Sequence, residues 1–221
     1  MKRIAPAICA VLALCSASAL ASPITFFYSG ELVSVGTPDP TDPANPFPVP
    51  PDFGSPFSGF YTFDSSALDA VPADAATGSY ASTGAPFGLT LELGGLSFSY
   101  DSVSIGVTDG YSSFGPGDQY LAGFAAGPTV LSIRLTDFSE MLFATDSLPV
   151  TPPDLTGLFT EFFFSETVSG VQVDVNGVVT TLVCTSGCAV PAPEPSAVWL
   201  LATGLAALGL CPGRRVRRPR L

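Results

Sequence analysis

Residues 171–183 read VQVDVNGVVTTLV and carry the strongest fold signal in the chain. Valine alternates with polar residues before Asn176-Gly177, and a run rich in β-branched residues follows. Alternation of this kind indicates a strand with one buried face. Asn-Gly between two such segments is typical of a two-residue hairpin, because both positions tolerate a positive φ. The stretch therefore predicts two antiparallel strands that meet at Asn176-Gly177.

A second hairpin is predicted at Gly94-Gly95, between Leu89–Leu93 and Leu96–Tyr100. Glycine again permits the positive φ values that a two-residue turn needs. In the segment Phe57–Phe63, apolar residues occupy alternate positions and predict a strand. Further predicted strands lie at Ile24–Val35, Ser102–Val107, Tyr120–Ala125, Val130–Leu135, Phe159–Phe164 and Val168–Val175.

These segments predict an all-β fold without helices between the strands. About ten short strands in one domain, residues 22–189, favour a single antiparallel β-sandwich or jelly roll. The 17 phenylalanines can fill its core. Residues 37–56 are rich in proline, which lacks the N–H donor of a central strand, so we expect a long surface loop there.

The charge distribution excludes several classes of function. The 221 residues include 19 acids, eight Lys and Arg, and no His, for a net charge of −11. Arg134 is the only base between the two termini. An acidic body repels phosphate backbones, so nucleic acid is not expected as a partner. Without His there is no Ser-His-Asp triad, no Cys-His pair and no histidine metal site.

Residues 1–21 have the three parts of a secretory signal peptide. Lys2 and Arg3 form a basic start, and residues 4–14 form an apolar run. Ala19 and Ala21 place small residues at the −3 and −1 positions of a cleavage site. We expect the mature chain to begin after Ala21.

The C-terminal residues 190–221 also divide into three parts. A proline-rich spacer covers 190–195, an uncharged segment 196–211, and a basic tail 212–221. The uncharged segment predicts a short transmembrane helix of about 24 Å, less than the hydrocarbon core of roughly 30 Å. Under the positive-inside rule the tail stays in the cytoplasm and the acidic body is exported. The stop-transfer residues are Arg214, Arg215, Arg217, Arg218 and Arg220.

This C-terminal order resembles the PEP-CTERM sorting domain of Gram-negative bacteria. Pro193-Glu194-Pro195 matches the tripeptide of that family, Trp199–Gly209 its membrane helix, and Arg214 onward its basic end. The resemblance implies that an exosortase, a membrane cysteine transpeptidase, cleaves near the tripeptide. It also implies an inner-membrane precursor, and then a place at the cell surface or in a biofilm or exopolysaccharide matrix. Residues 57–64 resemble a stretch found early in exported β-rich proteins with this tail, which implies no activity.

Cys184 and Cys188 are the only cysteine pair in the predicted exported body. Outside the cytoplasm a nearby pair favours a disulfide. Along an extended strand the two would be too far apart to bond, but Ser186-Gly187 provides a turn that can close the gap. A metal pair and a redox site are the competing readings.

Calcium is the one cofactor that the acids suggest, because it binds through six to eight oxygen ligands. Asp39, Asp42 and Asp52 share the proline-rich loop, and Asp109 and Asp118 flank a glycine-rich segment. The alternative is that scattered acids keep a phenylalanine-rich protein soluble. We assign no metal ligand and no catalytic residue.

Two function classes remain. The first is a non-enzymatic surface or matrix protein, sorted by its tail. The second is a secreted carbohydrate-binding or carbohydrate-active module, with aromatic rings stacked on sugars or two acids in a cleft. Its candidate acids are Glu92, Glu140, Glu161 and Glu166. Its candidate rings are Tyr61, Tyr80, Tyr100, Tyr111 and Tyr120, with a place in the core or at its rim as the alternative for each. Glu161 and Glu166 are five residues apart, so on one strand they would face opposite sides.

Overall fold

The computed structural model of the chain describes residues 23–37, 45–110 and 115–188. These residues form ten strands and no helix, which confirms the all-β prediction. The strands are β1 (Pro23–Thr37), β2 (Pro56–Asp64), β3 (Thr77–Thr83), β4 (Gly88–Leu93), β5 (Leu96–Tyr100), β6 (Ser102–Thr108), β7 (Asp118–Ala126), β8 (Thr129–Asp137), β9 (Phe159–Val168) and β10 (Val171–Ser186).

All ten strands belong to one antiparallel sheet, in the order β3-β6-β7-β8-β9-β10-β1-β2-β4-β5. The sequence predicted the two separate sheets of a sandwich. The described strands instead form a continuous sheet that curls, so that its two halves face each other. Sheets twist in one direction, and a wide sheet curls to bury one of its faces.

An aromatic core fills the space between the two halves. Phe57 of β2 stacks on Phe162 of β9 with ring centroids 3.9 Å apart. The hydroxyl oxygens of Tyr61 on β2 and Tyr120 on β7 lie 3.0 Å apart in a buried hydrogen bond. Phe98 of β5 contacts Phe164 of β9 at 4.8 Å. Each contact joins one half of the sheet to the other, so the core holds the curl.

The predicted hairpin at Asn176-Gly177 is wrong. Strand β10 runs straight through this dipeptide, and Gly177 pairs with Phe162 of β9 and Leu32 of β1. A Cβ on Gly177 would lie 2.6 Å from the Phe57 ring and 2.8 Å from the carbonyl oxygen of Glu31. This glycine therefore makes room for an aromatic neighbour and does not form a turn.

The turn before β10 lies at Ser169-Gly170 instead, where φ is 52° and 83°. The hairpin predicted at Gly94-Gly95 is confirmed, with φ values of 58° and 81° and with Leu93 paired to Leu96. The described part of the proline-rich loop packs on that hairpin, because the Val49 N–H donates to the Gly94 carbonyl at 3.1 Å. Phe47 is 5% exposed, so this loop is partly buried and does not lie wholly on the surface as predicted.

Candidate functional site

A pair of phenylalanines lies on the outer face of the sheet, where side chains normally meet water. Phe27 of β1 and Phe60 of β2 are directly paired, and their ring centroids are 5.2 Å apart. Phe60 is 45% exposed. Their chain neighbours Phe26 and Tyr61 point inward and are fully buried. The alternation of the strands that builds the core therefore sends these two rings outward.

Hydroxyl groups flank the two rings on the same face. On one side the Thr25 and Thr62 hydroxyl oxygens hydrogen-bond at 2.9 Å. On the other side Ser29 of β1 pairs with Ser58 of β2. Neighbouring strands lie about 4.8 Å apart, so rings and hydroxyls form parallel rows across the sheet. We call Thr25, Phe27, Ser29, Ser58, Phe60 and Thr62 the aromatic-hydroxyl face.

A groove of about 660 Å³ adjoins the serine row of this face. Ser29, Ser58 and Glu92 line its floor, and the proline-rich loop forms a wall with Pro51. Glu92 pairs with Ser58 across the strands and accepts hydrogen bonds from the Ser97 hydroxyl at 2.6 and 2.7 Å. The groove therefore offers hydroxyl donors and acceptors, two carboxylates (Glu31 and the hydrogen-bonded Glu92) and an apolar rim. Such groups can hydrogen-bond to sugar hydroxyls, and the Phe27–Phe60 rings beside the groove offer apolar faces on which a sugar can stack.

The other candidate acids lie in different parts of the fold. Glu161 accepts a hydrogen bond from Arg134 Nη1 at 2.9 Å, within an ion pair between β8 and β9. Glu166 accepts a hydrogen bond from the Tyr100 hydroxyl. Glu140 lies in the loop after β8 with a positive φ of 56°. Glu161 therefore stabilises a contact between two strands, and Glu166 holds a half-buried tyrosine.

The candidate tyrosines are mostly core residues. Tyr61 and Tyr120 are fully buried, and burial raises the pKa of both hydroxyls. Tyr80 is 8% exposed and donates to the carbonyl of Asp146 at 3.0 Å. Tyr100 is half-buried, stacks on Phe124 at 4.4 Å, and has a pKa raised by burial and by Glu166. Tyr111 lies outside the described residues.

Sequence reasoning missed the two phenylalanines that form the pair on the outer face. The signal was present, because Phe57, Gly59, Tyr61 and Phe63 were placed on one face, which assigns Phe60 to the other. An aromatic residue at a strand position that normally faces water indicates a binding surface. Tyrosines at the alternate positions indicate only the core.

The acids considered for calcium organise loops. Asp118 is fully buried, and its carboxylate accepts the N–H groups of Gly110 at 2.9 Å and Phe143 at 2.8 Å. Asp137 is paired with Asp118 across the strands, and the Ser139 hydroxyl and N–H hold its pKa below the usual range. Asp52 accepts the N–H of Phe53 at 2.7 Å.

No group of three or more His, Cys, Asp or Glu side chains within residues 23–37, 45–110 and 115–188 is arranged to hold a metal ion. Asp109, the remaining described candidate, donates its N–H to the Ala76 carbonyl at 2.9 Å. Asp39 and Asp42 lie outside the described residues.

Cys184 and Cys188 lie at the end of β10, with Cα atoms 6.2 Å apart and sulfur atoms facing each other. This Cα separation is within the range that a disulfide spans. Gly187, with φ 74°, provides the turn between them.

The predicted signals lie outside the described residues. They are the 1–21 signal peptide with Ala19 and Ala21, the tripeptide Pro193-Glu194-Pro195, the 196–211 segment, and Arg214, Arg215, Arg217, Arg218 and Arg220. Within the part of the chain that the structure describes, no helix has the length and apolar character to cross a membrane.

Comparison of the chain with protein-family models, curated proteins and solved structures finds no match.

Proposed function

We propose that this protein is a non-enzymatic component of the cell surface or extracellular matrix of a Gram-negative bacterium. It is exported with a signal peptide, held briefly in the inner membrane by its C-terminal segment, and processed by an exosortase. The observation that carries this proposal is the order of tripeptide, uncharged segment and arginine cluster in residues 193–221. The acidic body supports it, because all 19 acids lie on the side of the arginine tail that would be exported.

The proposal includes the finer architecture. The two halves of the sheet act as the layers of a sandwich-like or jelly-roll domain, with the signal peptide before it and the membrane helix after it. Cys184 and Cys188 form a disulfide once the domain reaches an oxidising compartment.

Two variants separate anchoring from enzyme recognition. Replacing Pro193-Glu194-Pro195 by three alanines should leave membrane insertion intact and block processing, so that the uncleaved chain accumulates in the inner membrane. Replacing the five tail arginines by serine should instead weaken retention, because their translocation is no longer costly. Fractionation and mass spectrometry of both variants, in a host with an exosortase, measure the two effects. Normal processing of the triple-alanine variant would contradict recognition by an exosortase, and the C-terminal segment would then be interpreted as a simple membrane anchor.

A second candidate function is binding of a neutral polysaccharide at the aromatic-hydroxyl face. The observation that favours it is the Phe27–Phe60 pair on the outer face of the sheet, with Phe60 exposed and Phe27 half-buried, flanked by hydroxyl rows. Among the described residues Arg134 is the only base, and it is paired with Glu161. An acidic polymer would therefore meet repulsion, and a neutral glucan or galactan would not.

Affinity electrophoresis in gels that contain neutral polysaccharides tests this second function. Phe60→Ala should weaken retention about tenfold, the value of one stacking contact. Phe159→Ala is the matched control, because Phe159 is a similarly exposed phenylalanine, 48% against 45%, on another strand. Equal losses in both variants, or no retardation of the wild type, would remove the glycan-binding proposal. Release of soluble sugar from the same gels would indicate a carbohydrate-active module instead.

A further inference from the structure

Strand β5 is one edge of the ten-stranded sheet, with β4 as its hydrogen-bonded neighbour. Leu93 and Leu96 flank the two-residue turn, so their main-chain groups bond each other. Hydrogen-bonded and non-bonded pairs alternate along an antiparallel ladder. Phe98 and Tyr100 therefore also bond toward β4, and the N–H and C=O groups of Ser97 and Ser99 point away from the sheet.

The outward groups of Ser97 and Ser99 meet no main-chain partner within residues 23–37, 45–110 and 115–188. Both residues are exposed. Residues 96–100 contain no proline and no charge, which are the usual protections of an edge strand. The edge is thus a five-residue template with two donors and two acceptors facing outward.

The order of side chains along β5 makes the strand complementary to itself. Leu96, Phe98 and Tyr100 turn inward and are half-buried, and Ser97 and Ser99 turn outward. If two copies pair antiparallel about Phe98, Ser97 of one copy lies opposite Ser99 of the other. Leu96 then lies opposite Tyr100, and on the outer face Ser99 of each copy lies opposite Ser97 of the other, whose hydroxyl donates to Glu92 of its own copy.

We propose that β5 is the self-association edge of this protein and pairs antiparallel with β5 of a second copy. In this pairing the Ser97 N–H donates to the Ser99 carbonyl of the second copy, and the Ser99 N–H to its Ser97 carbonyl, in both directions. The interface has two-fold symmetry, the commonest arrangement of homodimers. It covers the half-buried flank of Leu96, Phe98 and Tyr100 and joins two sheets into one.

A second copy fits this edge because the alternation of half-buried and exposed residues along β5 is symmetric about Phe98 and the edge itself is neutral. The acidic body repels most of its own surface, but β5 is neutral. The flanking Asp101 would lie opposite Gly95 of the second copy, so no two carboxylates meet in the pairing. Added salt should therefore tighten the association, because it screens the acidic bodies and leaves main-chain hydrogen bonds unaffected.

A charge-swap experiment on the full-length chain, purified in a mild detergent, tests the pairing by analytical ultracentrifugation. The double variants S97K/S99K and S97E/S99E each place like charges opposite one another. Each alone should dimerise about a hundredfold more weakly than the wild type. An equimolar mixture should form a one-to-one heterodimer, because Lys then faces Glu. The terminal segments are common to all variants, so differences report on β5.

Two further variants provide a control for added charge and a direct test of the outward N–H. Thr180→Lys makes the same kind of charge change at an exposed position in the middle of the sheet, and should leave the dimer unchanged. Ser99→Pro removes one outward N–H and no hydrogen bond to β4, so the domain should stay folded and become monomeric. A wild type that stays monomeric at all concentrations and salt levels overturns the proposal. A mixture that stays monomeric although both variants unfold at the wild-type temperature also overturns it.

Discussion

The two edge strands of the sheet, β3 and β5, differ in the partners of their outward main-chain groups. At β3 the outward main-chain groups of Ser79 are already used, because its N–H donates to Asp69 at 2.8 Å and its carbonyl accepts the Ala70 N–H at 2.8 Å. At β5 the equivalent groups of Ser97 and Ser99 face outward. The β3 edge is thus covered by a loop at Ser79, whereas the β5 edge consists of neutral residues that alternate inward and outward.

A segment of the same chain, and not the composition of the strand, determines which edge of this sheet is covered. Both edge strands are short and rich in small polar residues, so composition alone does not distinguish them. What distinguishes them is the segment between β2 and β3, which contains Asp69 and returns along the outside of β3. An edge covered by its own chain cannot recruit another strand, whereas an open edge can.

Displacing the loop that packs on the buried face of β3 should have the largest effect on stability. A Cβ on Gly78 of β3 would collide with the carbonyl oxygen of Asp146, and would lie 2.8 Å from the Tyr80 ring. Gly78→Ala should therefore push the loop that contains Asp146 off β3 and lower the free energy of unfolding by about 2–4 kcal/mol. The urea midpoint, followed by near-ultraviolet circular dichroism, measures this.

Gly106→Ala is the matched control for this prediction. Gly106 lies opposite Ser79 on the adjoining strand β6, and a Cβ there would meet its nearest atom, Leu121 Cβ, at 3.8 Å. We expect a change within about 0.5 kcal/mol of the wild type. Equal destabilisation by the two alanines would show that strand propensity, and not the collision with the Asp146 loop, sets the cost.

Removing the cap of the covered edge should have an intermediate effect. Asp69 accepts the N–H groups of both Val71 and Ser79, at 3.0 and 2.8 Å. Asp69→Ala leaves these donors unpaired and should cost about 1–2 kcal/mol. It should also make the Ser79 amide exchange with solvent much faster than in the wild type, which hydrogen exchange measures.

Asp69→Asn is the conservative variant, since its amide oxygen can still accept both N–H groups. It should recover most of the lost stability and the slow exchange of Ser79. If Asn behaves like Ala, the charge of Asp69 and not its acceptor geometry stabilises the edge.

The hairpins show how far local sequence reasoning reaches. Gly94-Gly95 was placed correctly because a turn of two glycines has no competing use in an edge hairpin. Asn176-Gly177 carries an equally strong local signal, but β10 pairs with β9 and β1 on both sides and fills that position with the Phe57 ring. The turn that does form, at Ser169-Gly170, places a serine at positive φ. Serine seldom adopts this conformation, so the residue type does not predict the turn.

The candidate site was predictable only in part. Strand alternation assigns Phe60 to the outer face, and this follows from residues 57–63 alone. That Phe60 lies beside Phe27, and that Glu92 adjoins Ser58, depends on the order β1-β2-β4. Strand order and edge position arise from pairings between distant segments, which have no signal in any single stretch of sequence.

The smallest effect should come from the tyrosine that each edge strand carries. Tyr80 of β3 donates to the Asp146 carbonyl, and Tyr100 of β5 donates to the Glu166 carboxylate. Burial raises the pKa of both hydroxyls above the ordinary value of 10.0. Near neutral pH, Tyr80→Phe and Tyr100→Phe should each cost about 1 kcal/mol, and Tyr100→Phe somewhat more because its partner is charged.

The pH dependence of stability above pH 10 then distinguishes Tyr80 on one edge from Tyr100 on the other. In the unfolded chain a tyrosine loses its proton near pH 10, while the native hydroxyl keeps it, so the stabilisation is complete below pH 10 and falls as the pH rises further. Each Phe variant removes one such group, so its urea midpoint should fall less steeply than that of the wild type between pH 10 and higher values. Buried Tyr28, Tyr61 and Tyr120 have raised pKa values too and keep part of the slope in both variants. If Tyr100→Phe leaves the slope of the wild type unchanged while Tyr80→Phe reduces it, the Tyr100–Glu166 contact opens in solution and only the covered edge holds its tyrosine.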